Sequence, residues 1–78
     1  MVYCDYVESR GTKVVYAIGG STDDITGRLE IDLSDDSFEV TSPPTKSQVY
    51  LPHIAAMLRK NLPDFKRGTF KKKMSYEI

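Results

Sequence analysis

The side chains best suited to chemistry are few and widely separated. Cys4 is the only cysteine and His53 the only histidine in 78 residues. A thiolate beside an imidazole makes a nucleophile with its base, but nothing in the spacing of these two brings them together. Cys4 shares an apolar phase with Val2 and Tyr6, the usual setting of an inert core thiol. His53 stands at the start of a helical stripe, in line with Met57 and Lys60, where a half-exposed surface histidine is the ordinary outcome. Zinc needs about four ligands of these types, more than this chain offers. The reading is therefore no enzyme, no metal, no cofactor and no implied small-molecule substrate.

Carboxylates are more plentiful, in the clusters Asp23-Asp24 and Asp32, Asp35, Asp36. Hard cations want several oxygens converging in a fixed loop. The alternating Asp/Asn, the glycine and the distant glutamate of an EF-hand loop are missing, so these read as solvated turn aspartates. Gly19-Gly20-Ser21-Thr22 follows an apolar strand, as a phosphate-binding loop would. Such loops continue with a lysine and a helix, whereas here Asp23 and Asp24 follow and then a strand. The segment reads as a hairpin loop.

The constellation with the most weight is basic. Arg59, Lys60, Lys66, Arg67, Lys71, Lys72 and Lys73 lie close together, with Phe65, Phe70 and Tyr76 interleaved. Cations bind phosphates through charge and counterion release, and aromatic rings stack on unpaired bases. The same rings have a competing use, because Phe70 and Tyr76 share a strand phase with Met74 and Ile78.

The whole chain is neutral, with 11 basic and 11 acidic residues, but the signs are sorted. Residues 1–42 carry a net −6 and residues 43–78 a net +6. Such asymmetry can mark an interaction surface. Complementary patches raise association rates and fix register between partners.

Composition bounds the rest. At 40% hydrophobic and 28% charged, the chain falls in the globular range. Its length suits one domain, 1–78, whose small core leaves room for stabilisation by association. A lone cysteine excludes an internal disulfide framework and suits a reducing compartment. Asp5, Glu8 and Arg10 interrupt any leader-like apolar core, and the longest apolar run, Val14 to Ile18, is far too short to span a bilayer. A cytoplasmic location without membrane contact is expected.

The elements that must position these residues read as follows. Val2 to Glu8 is a strand with Val2, Cys4 and Tyr6 on one face, and Arg10-Gly11 makes the turn. Lys13 to Ile18 is apolar on both faces, which suggests a central strand with both faces at least partly covered. Ile25 to Leu33 alternates cleanly, with Gly27 in the apolar phase, a sign of a bulge or of close approach by the helix. Phe38 to Thr41 follows a tight turn, and Pro43-Pro44 ends the sheet section. Leu51, Ile54, Ala55, Leu58 and Leu62 mark a helix over about 52–62, with Pro52 at its first turn and Pro63 as its stop. The 69–78 tail fits either a strand or a helix. A strand is favoured because Ser75-Tyr76-Glu77-Ile78 makes a poor helix end.

The expected fold is α+β, an antiparallel four- to five-stranded β-meander sheet with one helix on one face, in the order ββββα and then a final β. The expected core is Val14, Tyr16, Ile18, Ile25, Leu29, Ile31, Leu33, Phe38, Val40, Ile54, Leu58 and Leu62. The expected function is a small, non-enzymatic, intracellular interaction or assembly module, a homo-oligomer or a binder of a protein partner. The alternative is a single-stranded nucleic-acid-binding protein using the basic 59–73 segment.

Overall fold

A computed structural model describes residues 1–77. Five strands and one helix follow in the order β1 (Val2–Arg10), β2 (Lys13–Gly19), β3 (Gly27–Asp32), β4 (Ser37–Ser42), α1 (Leu51–Lys66) and β5 (Lys73–Tyr76). The strands form one antiparallel sheet in the spatial order β4-β3-β2-β1-β5. This is the expected α+β arrangement. The final strand rejoins the sheet beside β1, pairing Val2 with Tyr76 and Cys4 with Met74. Ile78, the last residue of the expected strand phase, lies outside the described residues.

Short connections build the meander. Gly11 and Thr12 join β1 to β2, and Gly11 has a φ of 61°. That left-handed conformation suits glycine in a two-residue hairpin turn. A register shift between Tyr6 and Glu8 leaves Val7 as an extra residue, so β1 is bulged where its apolar phase ends.

Alternation along the strands puts Val2, Cys4, Val14, Tyr16, Ile18, Leu29, Ile31 and Met74 into the core. The helix covers that face with Ile54, Met57, Leu58 and Phe65. Strand β2 is central, as its double-sided apolar pattern suggested. Its second face is nevertheless unroofed, with Val15 and Ala17 half-exposed among charged neighbours. Ile25 precedes β3 rather than opening it and is only half-buried, and Leu33, Phe38, Val40 and Leu62 are likewise partly open. The deepest positions instead include Val2, Cys4, Met57, Phe65 and Met74, because β5 and the last helical turn close over the β1 side.

The helix runs a turn beyond Pro63. An interior proline leaves the Arg59 carbonyl without its partner and costs about 3 kcal/mol. Two features offset this. Phe65 is 2% exposed and packs on Tyr16 and Phe70, a burial that stabilises by about 1.5–3 kcal/mol with about 0.5–1.5 kcal/mol for each aromatic pair. The helix end is also closed, since the Gly68 amide donates to the Phe65 carbonyl and the Thr69 amide to the Asp64 carbonyl. That pair of bonds is a Schellman cap, and Gly68 supplies its left-handed residue at φ 83°.

Gly27 does mark a close approach, but not by the helix. A side chain there would meet the Ser42 carbonyl at 2.7 Å and the Pro44 nitrogen at 2.8 Å. The chain leaving β4 presses on it instead.

Candidate functional site

The basic segment does not form one surface. Lys66 reaches the β3–β4 turn, donating to the Asp36 carboxylate at 2.6 Å and the Leu33 carbonyl at 2.8 Å. Arg67 pairs with Asp64 one turn back. Lys73, on β5, pairs with Asp5 on β1 at 3.1 Å. The Lys60 ammonium lies 5.5 Å from the Tyr76 ring centroid, a cation–π contact. Among the described residues Arg59, Lys71 and Lys72 make no ion pair. All seven are exposed, but they are shared among the helix, its C-terminal loop and β5.

The interleaved aromatics turn inward. Tyr6, Tyr16, Phe65 and Phe70 form a closed ring of contacts with centroid separations from 5.6 to 6.1 Å. Backbone groups of the lysine loop brace this cluster from outside. The Tyr16 hydroxyl donates to the Lys71 carbonyl at 2.7 Å, and the Tyr6 amide donates to the Lys72 carbonyl at 2.8 Å. The lysines thus cap an aromatic core with their backbone and leave their side chains in solvent.

Cys4 and His53 have separate roles in packing. Cys4 is 1% exposed, and burial, helped by the Asp5 charge, pushes its thiol up to about 12. It is held as a neutral thiol. Tyr16 is fully buried and its hydroxyl is also pushed up to about 12, first by burial and then by Cys4 and Tyr6. The His53 ring sits between the rings of Tyr50 and Tyr76, each at 5.6 Å, with Nδ1 buried and unpaired. Among the described residues, no group of three or more His, Cys, Asp or Glu side chains could hold a metal ion. No helix among them is long and apolar enough to cross a membrane.

The feature that sequence reasoning missed is the border formed by β4 and the chain after it. Asp24, expected in a solvated turn, is only 5% exposed and clamps the two loops together. Its Oδ2 accepts from the Lys46 amide at 2.8 Å and the Ser47 hydroxyl at 2.7 Å, and its Oδ1 accepts from the Thr26 hydroxyl at 2.9 Å. These bonds, led by those from Ser47, hold the carboxyl well below its ordinary range. Gly19-Gly20 is shaped by the same closure. A side chain at Gly20 would lie 2.2 Å from the Gln48 carbonyl, and the Gly20 amide donates to the Ser47 hydroxyl at 2.9 Å. The glycines admit backbone, not phosphate.

The clamp fixes an open apolar border. Strand β4 alone among the five has no fully buried residue, although Phe38 and Val40 point to the helix face. Phe38 lines a groove of about 200 Å³ with Ile31, Ala55, Leu58 and Leu62. Val40 lines a second hollow with Pro43, Val49, Tyr50 and Leu51. Tyr50 and Leu51 are 55% and 60% exposed, the most open large apolar residues described. The only advance signal was that Leu51 belongs to the helical stripe yet precedes Pro52, where no strand remains to cover it.

Compared with protein families, curated proteins and solved structures, the chain has no match.

Proposed function

We propose that this chain is a small, non-enzymatic interaction module that associates with itself through the β4 border. The observation that carries this reading is the coincidence of an unpaired sheet edge with half-open Phe38 and Val40 and the exposed Tyr50 and Leu51. An edge strand presents unpaired N–H and C=O groups that another strand can satisfy. The neighbouring apolar hollows give such a strand's side chains somewhere to go, the arrangement used in β-augmentation. The reactive groups favour the same reading, since Cys4 is sealed as a thiol and His53 is packed between two rings.

Sedimentation velocity over a range of micromolar concentrations tests it. Concentration-dependent association is expected, and Leu51→Ser should weaken it without loss of fold. A wild-type chain that stays monomeric at every concentration would remove self-association.

The alternative, binding of single-stranded nucleic acid by the 59–73 segment, rests on the exposed and unpaired Arg59, Lys71 and Lys72. It would act by charge, because Phe65 is buried and Phe70 and Tyr76 are engaged in packing. Titration of an oligonucleotide at several salt concentrations decides it. Each phosphate contact contributes about 0.7 to the log–log slope, so Lys71→Ala with Lys72→Ala should flatten it, and no binding at low salt would end the idea.

A further inference from the structure

We infer that the groove between the β3–β4 pair and α1 is a binding site for a small apolar carboxylate, a single ring or short alkyl chain with one acid group, and that Arg59 receives the acid. This does not rest on self-association, which would use the backbone of the β4 edge. The groove lies on the helix face of the sheet.

Two periodicities meet to build it. Ile31 and Phe38 are partners across β3 and β4, so their side chains share a face. Ala55, Leu58, Arg59 and Leu62 stand at i, i+3, i+4 and i+7 of α1, along one side of the helix. Both sets line the groove. Ile31 and Leu58 are 2% and 7% exposed and form its floor. Phe38, Ala55 and Leu62 are partly open and form its walls. The small side chain of Ala55 leaves room that its larger neighbours on the stripe would fill.

The charges at the rim choose the occupant. Asp36 and Arg59 complete the lining. Asp36 is already matched, since the Lys66 ammonium lies 2.6 Å from its carboxylate and also donates to the Leu33 carbonyl at 2.8 Å. Arg59 is exposed and makes no ion pair among the described residues. The unmatched charge of the groove is therefore one guanidinium. Its paired N–H groups fit the two oxygens of a carboxylate. An apolar trough with one cation at its rim selects an apolar body with one anionic head.

Size sets the class further. At about 200 Å³ the groove is smaller than the ~300–1,000 Å³ usual for sites that take drug-sized ligands. A docked helix lays a row of side chains along a longer groove. One ring or a short chain is what this volume holds.

NMR titration of the full, isotope-labelled chain tests the site, with hexanoate, hexan-1-ol and hexylammonium as probes of equal chain length. Hexanoate should shift the amide signals of Phe38, Leu58 and Leu62 saturably. It should bind about fivefold more tightly than hexan-1-ol, the effect of one exposed ion pair, and hexylammonium should bind weakest. Arg59→Gln should remove the advantage of the acid and leave hexan-1-ol unaffected, which shows that the groove is still formed. Ala55→Leu fills the trough and should abolish binding of both. Lys71→Ala with Lys72→Ala should change nothing. Equal binding of hexanoate and hexan-1-ol by the wild type, or no saturable shift at all, would overturn the proposal. So would hexanoate binding that survives Ala55→Leu or is lost with Lys71 and Lys72, because the acid would then sit elsewhere.

Discussion

The two edges of the sheet began from similar sequence and ended differently. Strands β4 and β5 each place two apolar residues on the helix face, Phe38 and Val40 in one and Met74 and Tyr76 in the other. Met74 is 5% exposed, whereas Phe38 and Val40 stay half-open. The difference lies in what covers them. Helix α1 leans to the β5 side, and the four-ring cluster of Tyr6, Tyr16, Phe65 and Phe70 fills the space at that end. Alternation determines which face of a strand is apolar. It does not determine how far a single sixteen-residue helix can extend its cover across five strands. The side left over is the natural place for a partner.

Breaking the closed side should have the largest effect. Phe65→Ala removes a buried ring that touches Tyr16 and Phe70 and should destabilise by about 3–5 kcal/mol. That approaches the entire stability of a small domain, which starts at about 5 kcal/mol. Phe38→Ala, on the open side, should cost about 1–2 kcal/mol in the monomer, since its ring is only partly buried. Urea unfolding of both variants at low protein concentration measures the contrast. Equal losses would mean that the two edges are equally covered and that the open border does not exist in solution.

The clamp under the open side comes next. Asp24→Asn should lower the urea midpoint by less than Phe65→Ala, and it should alter the acid response. Because the native carboxyl titrates below its ordinary value of 3.8, the unfolded chain takes up the proton first. The stabilisation is therefore complete above that pH and is lost as pH falls beneath it. The variant should show a flatter loss of stability on the acid side than the wild type. An unchanged acid limb would mean that Asp24 does not hold the 43–49 segment.

These contrasts also separate what was legible in the sequence from what was not. The meander, the central β2 and the returning β5 followed from alternation and from short turns, although the first turn is Gly11-Thr12, one residue later than the expected Arg10-Gly11. The helix end was misread at Pro63, although Phe65 continues the spacing of Leu58 and Leu62 and Gly68 is a ready terminator. The weight of a buried ring against one lost hydrogen bond could have been judged in advance. Asp24 could not, because its partners Lys46 and Ser47 lie across a closure that exists only once the sheet is formed. The basic cluster was legible as composition, but its dispersal was not. Whether Lys66, Arg67 and Lys73 find carboxylates depends on which turns meet which strand ends.

The smallest effect concerns the ion pair that, among the described residues, links the helix to the open side. Lys66 bridges from the last turn of α1 to Asp36 and to the Leu33 carbonyl, so it ties the closed end of the molecule to the β3–β4 turn. Both partners are roughly half-exposed, and such pairs contribute at most about 1 kcal/mol and fade with salt. Lys66→Met keeps the aliphatic stem and removes the charge, so monomer stability should fall by less than about 1 kcal/mol, and the gap to wild type should close in high salt. Urea unfolding of this variant at low and high salt measures both quantities. A gap to wild type that persists in high salt would mean that Lys66 acts through its hydrogen bond to the Leu33 carbonyl rather than through its charge.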